Sequence, residues 1–442
     1  MKMKHIVLIM SLICGVALDG FAQQAPPDSQ KYNFTVADCV NYAYEHQDSV
    51  MNAALDIKSA DFKVRETIGS GLPQISGTAT FQNYLKTPVV LFGTNKVSIY
   101  QNFSENNAIN LSQLLFDGSY LVGLKAAKTY KELSQKNYTR SRIETNVNVT
   151  KAYYQVLVSN EQVKLLDANI KQLKQQLDET IQQNKQGFVE KIDVDRLTVQ
   201  YNTLVNNKEK VLRLLALNYQ VLKFQMGMPI ENELVLKDKL EDVQLGDNLS
   251  DLSNDTTFYK NRIEFGLTET NLKLNQFDLK RERSLLLPSL AFIGNAGVLF
   301  QNNNPSHLFS PGYPSAYIGL SLNVPIYSGG QHNNRIKESE ITVLKSQNDL
   351  NNLKNGLRLQ ASQAWIGYIN GMQTLKVQKQ NQELAAEVLR VSKIKYQQGV
   401  GSSIEVTQAE SALESADNSY IQGLYDALVS KVDLDKAYGR IQ

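Results

Sequence analysis

Cysteine is nearly absent from this chain of 442 residues: Cys14 and Cys39 are the only two. Histidine is as scarce, with four in all. Beyond residue 22 only His46, His307 and His332 remain, far apart and without the Cys or carboxylate spacing that a bound metal requires. Gly329-Gly330 lacks the GxxxxGK[ST] pattern of a phosphate-binding loop. No nucleophile, base or phosphate cradle suggests an enzyme, and no cofactor is expected. Neither sign of charge dominates, with 46 Lys and Arg against 44 Asp and Glu. That balance gives no electrostatic reason to bind nucleic acid. After the first 22 residues no apolar run approaches the ~20 residues that a membrane-spanning helix needs. If the chain meets a bilayer, it does so with strands.

Residues 1–22 do have an apolar run, Ile6 to Leu18, preceded by Lys2 and Lys4 and followed by Gly20-Phe21-Ala22. A basic start, a short apolar centre and small residues before a cut form a secretory signal peptide. Cys14 lacks the preceding small residue that lipid attachment favours. Loss of Lys2, Lys4 and Asp19 takes the net charge from +2 to about +1. Cys39 is then the single thiol, so the exported chain has no internal disulfide even in an oxidising compartment.

Proline is sparse, and its placement outlines the architecture. All 10 prolines lie at positions 26, 27, 73, 88, 229, 288, 305, 311, 314 and 325. Proline inside a helix removes a hydrogen bond and clashes with the preceding turn, so the proline-free stretches are where long helices fit. In the first stretch Val149, Val156, Val163, Ile170 and Leu177 recur every seventh residue, with Tyr153, Leu166, Leu173 and Ile181 between them. This is a coiled-coil-like stripe. A helix from Tyr120 to Lys185 is about 100 Å long at 1.5 Å per residue, too long for a globular interior. It stops at Gly187, and a second run returns through Ile192, Leu197, Leu204, Leu212, Leu215 and Leu222. Helices are expected at about 119–186 and 190–226, and again at about 330–398 and 402–439.

Two segments alternate cleanly with period two, and Ser104 to Leu115 and Ser289 to Phe300 do so less cleanly. In Gln74 to Gln82, Ile75, Gly77, Ala79 and Phe81 share one face; in Ser315 to Val324, Ala316, Ile318, Leu320, Leu322 and Val324 do so. Strands are expected at about 74–84, 103–115, 289–300 and 315–325. Each is near the 9–11 residues of a tilted membrane strand, although soluble hairpins with one buried face show the same alternation. Phe81, Tyr84, Phe103, Phe300, Phe309 and Tyr313 gather near the outer strand ends, with Phe116 and Tyr327 at the other, as interfacial girdles do. Four strands cannot close a barrel, and lipid does not tolerate an open sheet edge. If these strands span a membrane, several chains share one barrel.

The pattern occurs twice. Gly118 pairs with Gly330, Ala152 with Ala364, Gln186-Gly187 with Gln398-Gly399, Ile192 with Ile404, Val194 with Val406 and Gly227 with Gly439, each 212 residues apart. Leu72-Pro73 and Leu287-Pro288 open the strands of each half. The chain therefore divides into 23–228 and 229–442, neither of which buries its apolar face alone. Phe34 to Gly69 and Ile230 to Leu286 are expected to hold shorter helices, the first opened by Thr35-Val36-Ala37-Asp38, packed around the middle of the long ones.

The ordered set of Phe34-Thr-Val-Ala-Asp-Cys-Val-Asn-Tyr-Ala, Leu114-Leu-Phe-Asp-Gly, Val324-Pro-Ile-Tyr-Ser-Gly-Gly and Tyr396-Gln-Gln-Gly-Val-Gly-Ser-Ser-Ile-Glu-Val resembles the outer-membrane efflux protein family, the TolC-type exit ducts. The resemblance implies a mainly helical fold with a membrane β-barrel portion. Duplicated long helical hairpins form the tunnel of a homotrimer, and each chain gives four strands to a twelve-strand barrel. It places the protein in the outer membrane with a long periplasmic extension, working with a periplasmic adaptor and an inner-membrane transporter. A non-conducting periplasmic coiled-coil scaffold is the alternative.

The resemblance also points to the helix-hairpin tips. Asp193 and Glu405, each six residues after a turn glycine, match pore-entrance positions where acidic side chains form rings. Ser402 and Glu405 are equally spaced as a helix capping box, so Glu405 has a local role available to it. Tyr396 is retained at the gate, which makes a Tyr396 to Asp193 hydrogen bond an expectation. Gly401 stands where the family carries Arg, and Arg196 and Gln408 occupy the further acidic positions, implying a rewired gate. Gly187-Phe188-Val189 and Gly399-Val400-Gly401 are the expected adaptor contacts.

Overall fold

The computed structural model describes residues 31–240 and 257–441; the signal segment, Cys14 and most of the acidic connector from Leu234 to Leu252 lie outside the described residues. The long helices are α3 (Gly118–Lys185), α4 (Lys191–Met226), α6 (Gln331–Gln397) and α7 (Ser403–Ala437). Helix α3 has 68 residues and α6 has 67. Asp117 starts α3, its carboxylate accepting from the Ser119 and Tyr120 backbone N–H groups. Both long hairpins turn with the same pair of backbone bonds. The Phe188 N–H donates to the Gln183 carbonyl and the Gly187 N–H to that of Asn184, and Val400 and Gly399 repeat this with Lys395 and Tyr396. Gly187 and Gly399 hold φ of +80° and +72°, which a side chain resists.

Shorter elements complete each half. Before the first strands come β1 (Lys31–Phe34), α1 (Val36–His46) and α2 (Asp48–Gly69); before the second pair come β6 (Glu233–Leu236) and α5 (Ile263–Ser284). Thr35 and Asp38 form a reciprocal capping box at α1. Helix α1 lies at the middle of α3: Cys39, Val40 and Ala43 pack with Val149, Tyr153, Val156, Leu222 and Met226. Helices α2 and α5 depart from the expected mid-helix position. They run beside the strand-proximal half of α3, where Asp61 pairs with Lys131 at 2.6 Å and the Lys136 ammonium donates to Thr270 Oγ1 at 2.7 Å. Their last residues each sit five positions before a strand, so chain connectivity holds them at that end.

Strands β2 (Gln74–Asn83), β5 (Phe103–Phe116), β7 (Ser289–Asn302) and β8 (Gly312–Asn323) form one sheet in the order β2-β5-β7-β8, antiparallel throughout. Its two outer strands are open edges within this chain. Strand β8 begins before the expected Ser315 and takes in Pro314, which an edge strand accommodates. The register aligns Ile75, Leu111, Gly294 and Ile318 across one face, and Ser76, Asn110, Asn295 and Tyr317 across the other. Between β2 and β5 the chain makes a separate hairpin, β3 (Val89–Phe92) and β4 (Asn95–Ser98). Among the described residues no helix is long and apolar enough to cross a membrane.

Candidate functional site

Heptad apolar positions bring the hairpins together and so carry the tips. Leu166, Leu173 and Leu177 of α3 pack on Leu197 and Leu204 of α4, and Leu389 of α6 packs on Val406 and Ala409 of α7. Burying each such side chain stabilises the hairpin by about 1.5–3 kcal/mol, which fixes the turns at the far end of two rods. At the turns themselves apolar side chains face outward: Phe188 is 78% exposed and Val400 79%. Val189 is half-buried, its carbonyl accepting from Asn184 Nδ2 at 2.8 Å.

Phe188, Val189, Tyr396, Gly399 and Gly401 border one groove of about 630 Å³ between the two tips, floored by glutamines of α3. Gly187 and Val400 stand at the apices outside that lining. Tyr396 packs on the Leu389, Val406 and Ala409 cluster. Burial, with the Asp193 charge second, pushes its hydroxyl pKa up. Asp193 is therefore near Tyr396, but the expected hydrogen bond between them does not form. The close partner of Asp193 is Arg196, Nη1 to Oδ1 at 3.6 Å one helical turn on. Glu405 faces solvent, and its backbone N–H donates to Ser402 Oγ at 3.3 Å, so only half of the capping box is present.

The two acidic tip residues, equivalent by position, are thus in different states. Asp193 is half-buried and partly neutralised by Arg196, whereas Glu405 makes no ion pair among the described residues. Gly401 has a local cause. A Cβ there would lie 2.9 Å from Lys395 Cβ and 3.0 Å from the Tyr396 nitrogen, so the backbone at this turn has no room for Arg.

A match to the outer membrane efflux protein family covers residues 40–227 and 260–440, the two halves of the duplication. The chain belongs to that family. It is 23% identical over 415 residues to the outer membrane protein TolC of Vibrio cholerae, covering 92% of this chain and 91% of that one. It is 24% identical over 394 residues to the toluene efflux pump outer membrane protein TtgC of Pseudomonas putida, covering 88% and 79%. The solved outer membrane protein VceC of Vibrio cholerae has the same fold, with a TM-score of 0.74, 13% identity and coverage of 91% and 96%. As a member of this family the protein is an outer-membrane channel component with a long helical periplasmic part, and the family is not one of enzymes.

Sequence reasoning did not find the polar side chains that join the two hairpins. Asp417 of α7 accepts from Asn169 Nδ2 of α3 at 2.8 Å and from Gln382 Nε2 of α6 at 2.7 Å, and Glu414 accepts from Asn207 Nδ2 of α4 at 3.0 Å. A signal was available: Val406, Glu410, Leu413, Asp417, Ile421, Leu424 and Leu428 follow core spacing along α7, so two acids occupy places where apolar residues belong.

Proposed function

We propose that this protein is the trimeric exit duct of a tripartite efflux or type I secretion assembly, passing small molecules or peptides from a periplasmic adaptor and an inner-membrane transporter to the exterior. The observation that carries this reading is the sheet. Four antiparallel strands have one apolar face, one polar face and two open edges, which suits closure by like copies into twelve strands. Strands β2 and β8 run in opposite directions, so edge-to-edge joining of copies keeps every pair antiparallel. Helices about 100 Å long continue from the strands and form the tunnel.

At the entrance, three copies of Glu405 form an acidic ring that concentrates cations, while Arg196 weakens the ring formed by Asp193. Tyr396 helps hold the entrance narrow by packing rather than through Asp193. Phe188 and Val400, with the groove beside Val189 and Gly401, take the adaptor's hairpins. Planar-bilayer conductance of the purified protein, with particle mass measured alongside, tests the reading. Trimers that conduct, prefer cations, and lose part of that preference in Glu405→Gln support it. A soluble, non-conducting monomer or dimer would establish the periplasmic scaffold instead. Unchanged ion preference in Glu405→Gln, together with unchanged opening in Tyr396→Phe, would remove the gate assignment.

A further inference from the structure

The two helical hairpins are joined by different forces at different heights. Near the middle of the rods Val158 of α3 packs with Ile421, Leu424 and Leu428 of α7, an apolar contact shared by both hairpins. Nearer the tips each apolar cluster belongs to one hairpin: Leu166, Leu173, Leu177, Leu197 and Leu204 to the first, Leu389, Val406 and Ala409 to the second. Between these clusters runs the polar seam of Asp417, Glu414 and their amide partners. At its tip-ward end lies Glu410, with a side chain 8% exposed.

Glu410 borders a small, partly open cavity of about 20 Å³ where all four long helices meet, room for a single water. Helices α3 and α4 face it with neutral groups, Asn169, Gln172 and Gln200. The charged groups facing it are Lys393 of α6 and Glu414 of α7 itself. Lys393 Nζ lies 3.1 Å from Oε1 and the Gln200 side chain also approaches the carboxylate, but neither carboxylate oxygen meets a well-aligned hydrogen-bond donor, and Gln200 Oε1 is itself unpaired. An ionised carboxylate so enclosed is costly to keep.

We propose that Glu410 is a proton-operated latch on this seam: protonated, it holds the two hairpin tips together, and ionised, it favours their separation. Burial outweighs the attraction of Lys393 and the smaller pull of the Gln200 side chain, and raises the pKa of the carboxyl above its ordinary value. Separation admits water and lowers that pKa, so it releases a proton. Linkage then fixes the sign: acid favours the packed tips, and rising pH favours parted ones. The latch stands on the packing of this chain, whatever cargo passes.

The test uses the full-length protein in lipid nanodiscs, with spin labels on the exposed residues Lys171 of α3 and Glu383 of α6. Pulsed dipolar spectra are recorded from about pH 5 to about pH 8. The fraction at the longer distance is expected to rise severalfold with pH. In Glu410→Gln, which is neutral throughout, the distribution should stay at the acid-pH form at every pH. A wild-type distribution that does not change with pH overturns the proposal without relying on any variant. A Glu410→Gln protein that keeps the wild-type pH response assigns the change to another group and equally overturns it.

Discussion

Cys39 illustrates how one residue acquires its chemistry from packing. It is fully buried against Val149 and Tyr153, and burial, followed by the charges of Asp38 and Asp238, pushes its thiol pKa up to about 12. Thiolate is the reactive form, so at pH 7.5 the folded protein presents almost none of it. Labelling by a maleimide is expected to be at least about a hundredfold slower in the native protein than in denaturant, read by mass shift against time. Equal rates would mean that α1 is not docked. The residue count excluded a disulfide, but it held nothing about inertness, which depends on helices over 100 positions away. The same limit applies at the tips. Asp193 and Glu405 are interchangeable by spacing, yet Arg196 meets Asp193 while Gln408, its counterpart, leaves Glu405 unpaired.

Elements were the most legible scale, because backbone chemistry announces them locally. Proline-free length gave the long helices, glycine gave their ends, and alternation marked β2 and β8 clearly and β5 and β7 less so. Glycines of the same backbone conformation nonetheless carry different loads. Gly187 and Gly227 both have left-handed φ, but a Cβ at Gly187 meets nothing within 4 Å, whereas at Gly227 it would lie 2.3 Å from the His46 carbonyl oxygen. Gly187→Ala is therefore expected to cost only the backbone term, about 1–2 kcal/mol. Gly227→Ala must also push α1 away from the end of α4 and should lower the thermal midpoint by clearly more. Differential scanning calorimetry of the two variants separates the cases, and equal midpoints would show that α1 does not press on Gly227. What escaped the sequence was non-local. The parallel pairing of Lys31–Phe34 with Glu233–Leu236 uses four residues from each half, and Asp238 extends it by accepting from the Val36 N–H at 2.9 Å and the Tyr153 hydroxyl at 2.8 Å. Segments so short carry no periodicity, and only the folded chain brings them together.

At the scale of the whole molecule, the decisive question is which face of the sheet meets lipid, and neighbouring residues of β8 answer it oppositely. Ile318 lies in the row with Gly294, Leu111 and Ile75, and Tyr317 in the row with Asn295, Asn110 and Ser76. Both are near the centre of the twelve-residue strand, and Ile318 is 77% exposed in the single chain. The polar row is tied together by Asn295 Nδ2 donating to Asn110 Oδ1 at 2.7 Å, and the amide groups this bond leaves over are solvated by a water-filled lumen but would be costly in hydrocarbon. Across the four main strands the one Asp, Glu, Lys, Arg or His is Glu105, beside the outer aromatic end and on the apolar face, where a carboxylate reaches the interface most easily. If the apolar row faces lipid, Ile318→Arg places a cation near the bilayer midplane at a cost of about 2–4 kcal/mol. The expected result is loss of heat-resistant oligomers and of outer-membrane insertion. Tyr317→Arg, one residue away, faces the lumen and should assemble normally while shifting the single-channel ion preference toward anions. The opposite outcome, an assembled Ile318→Arg and a misassembled Tyr317→Arg, would turn the sheet inside out and with it the duct.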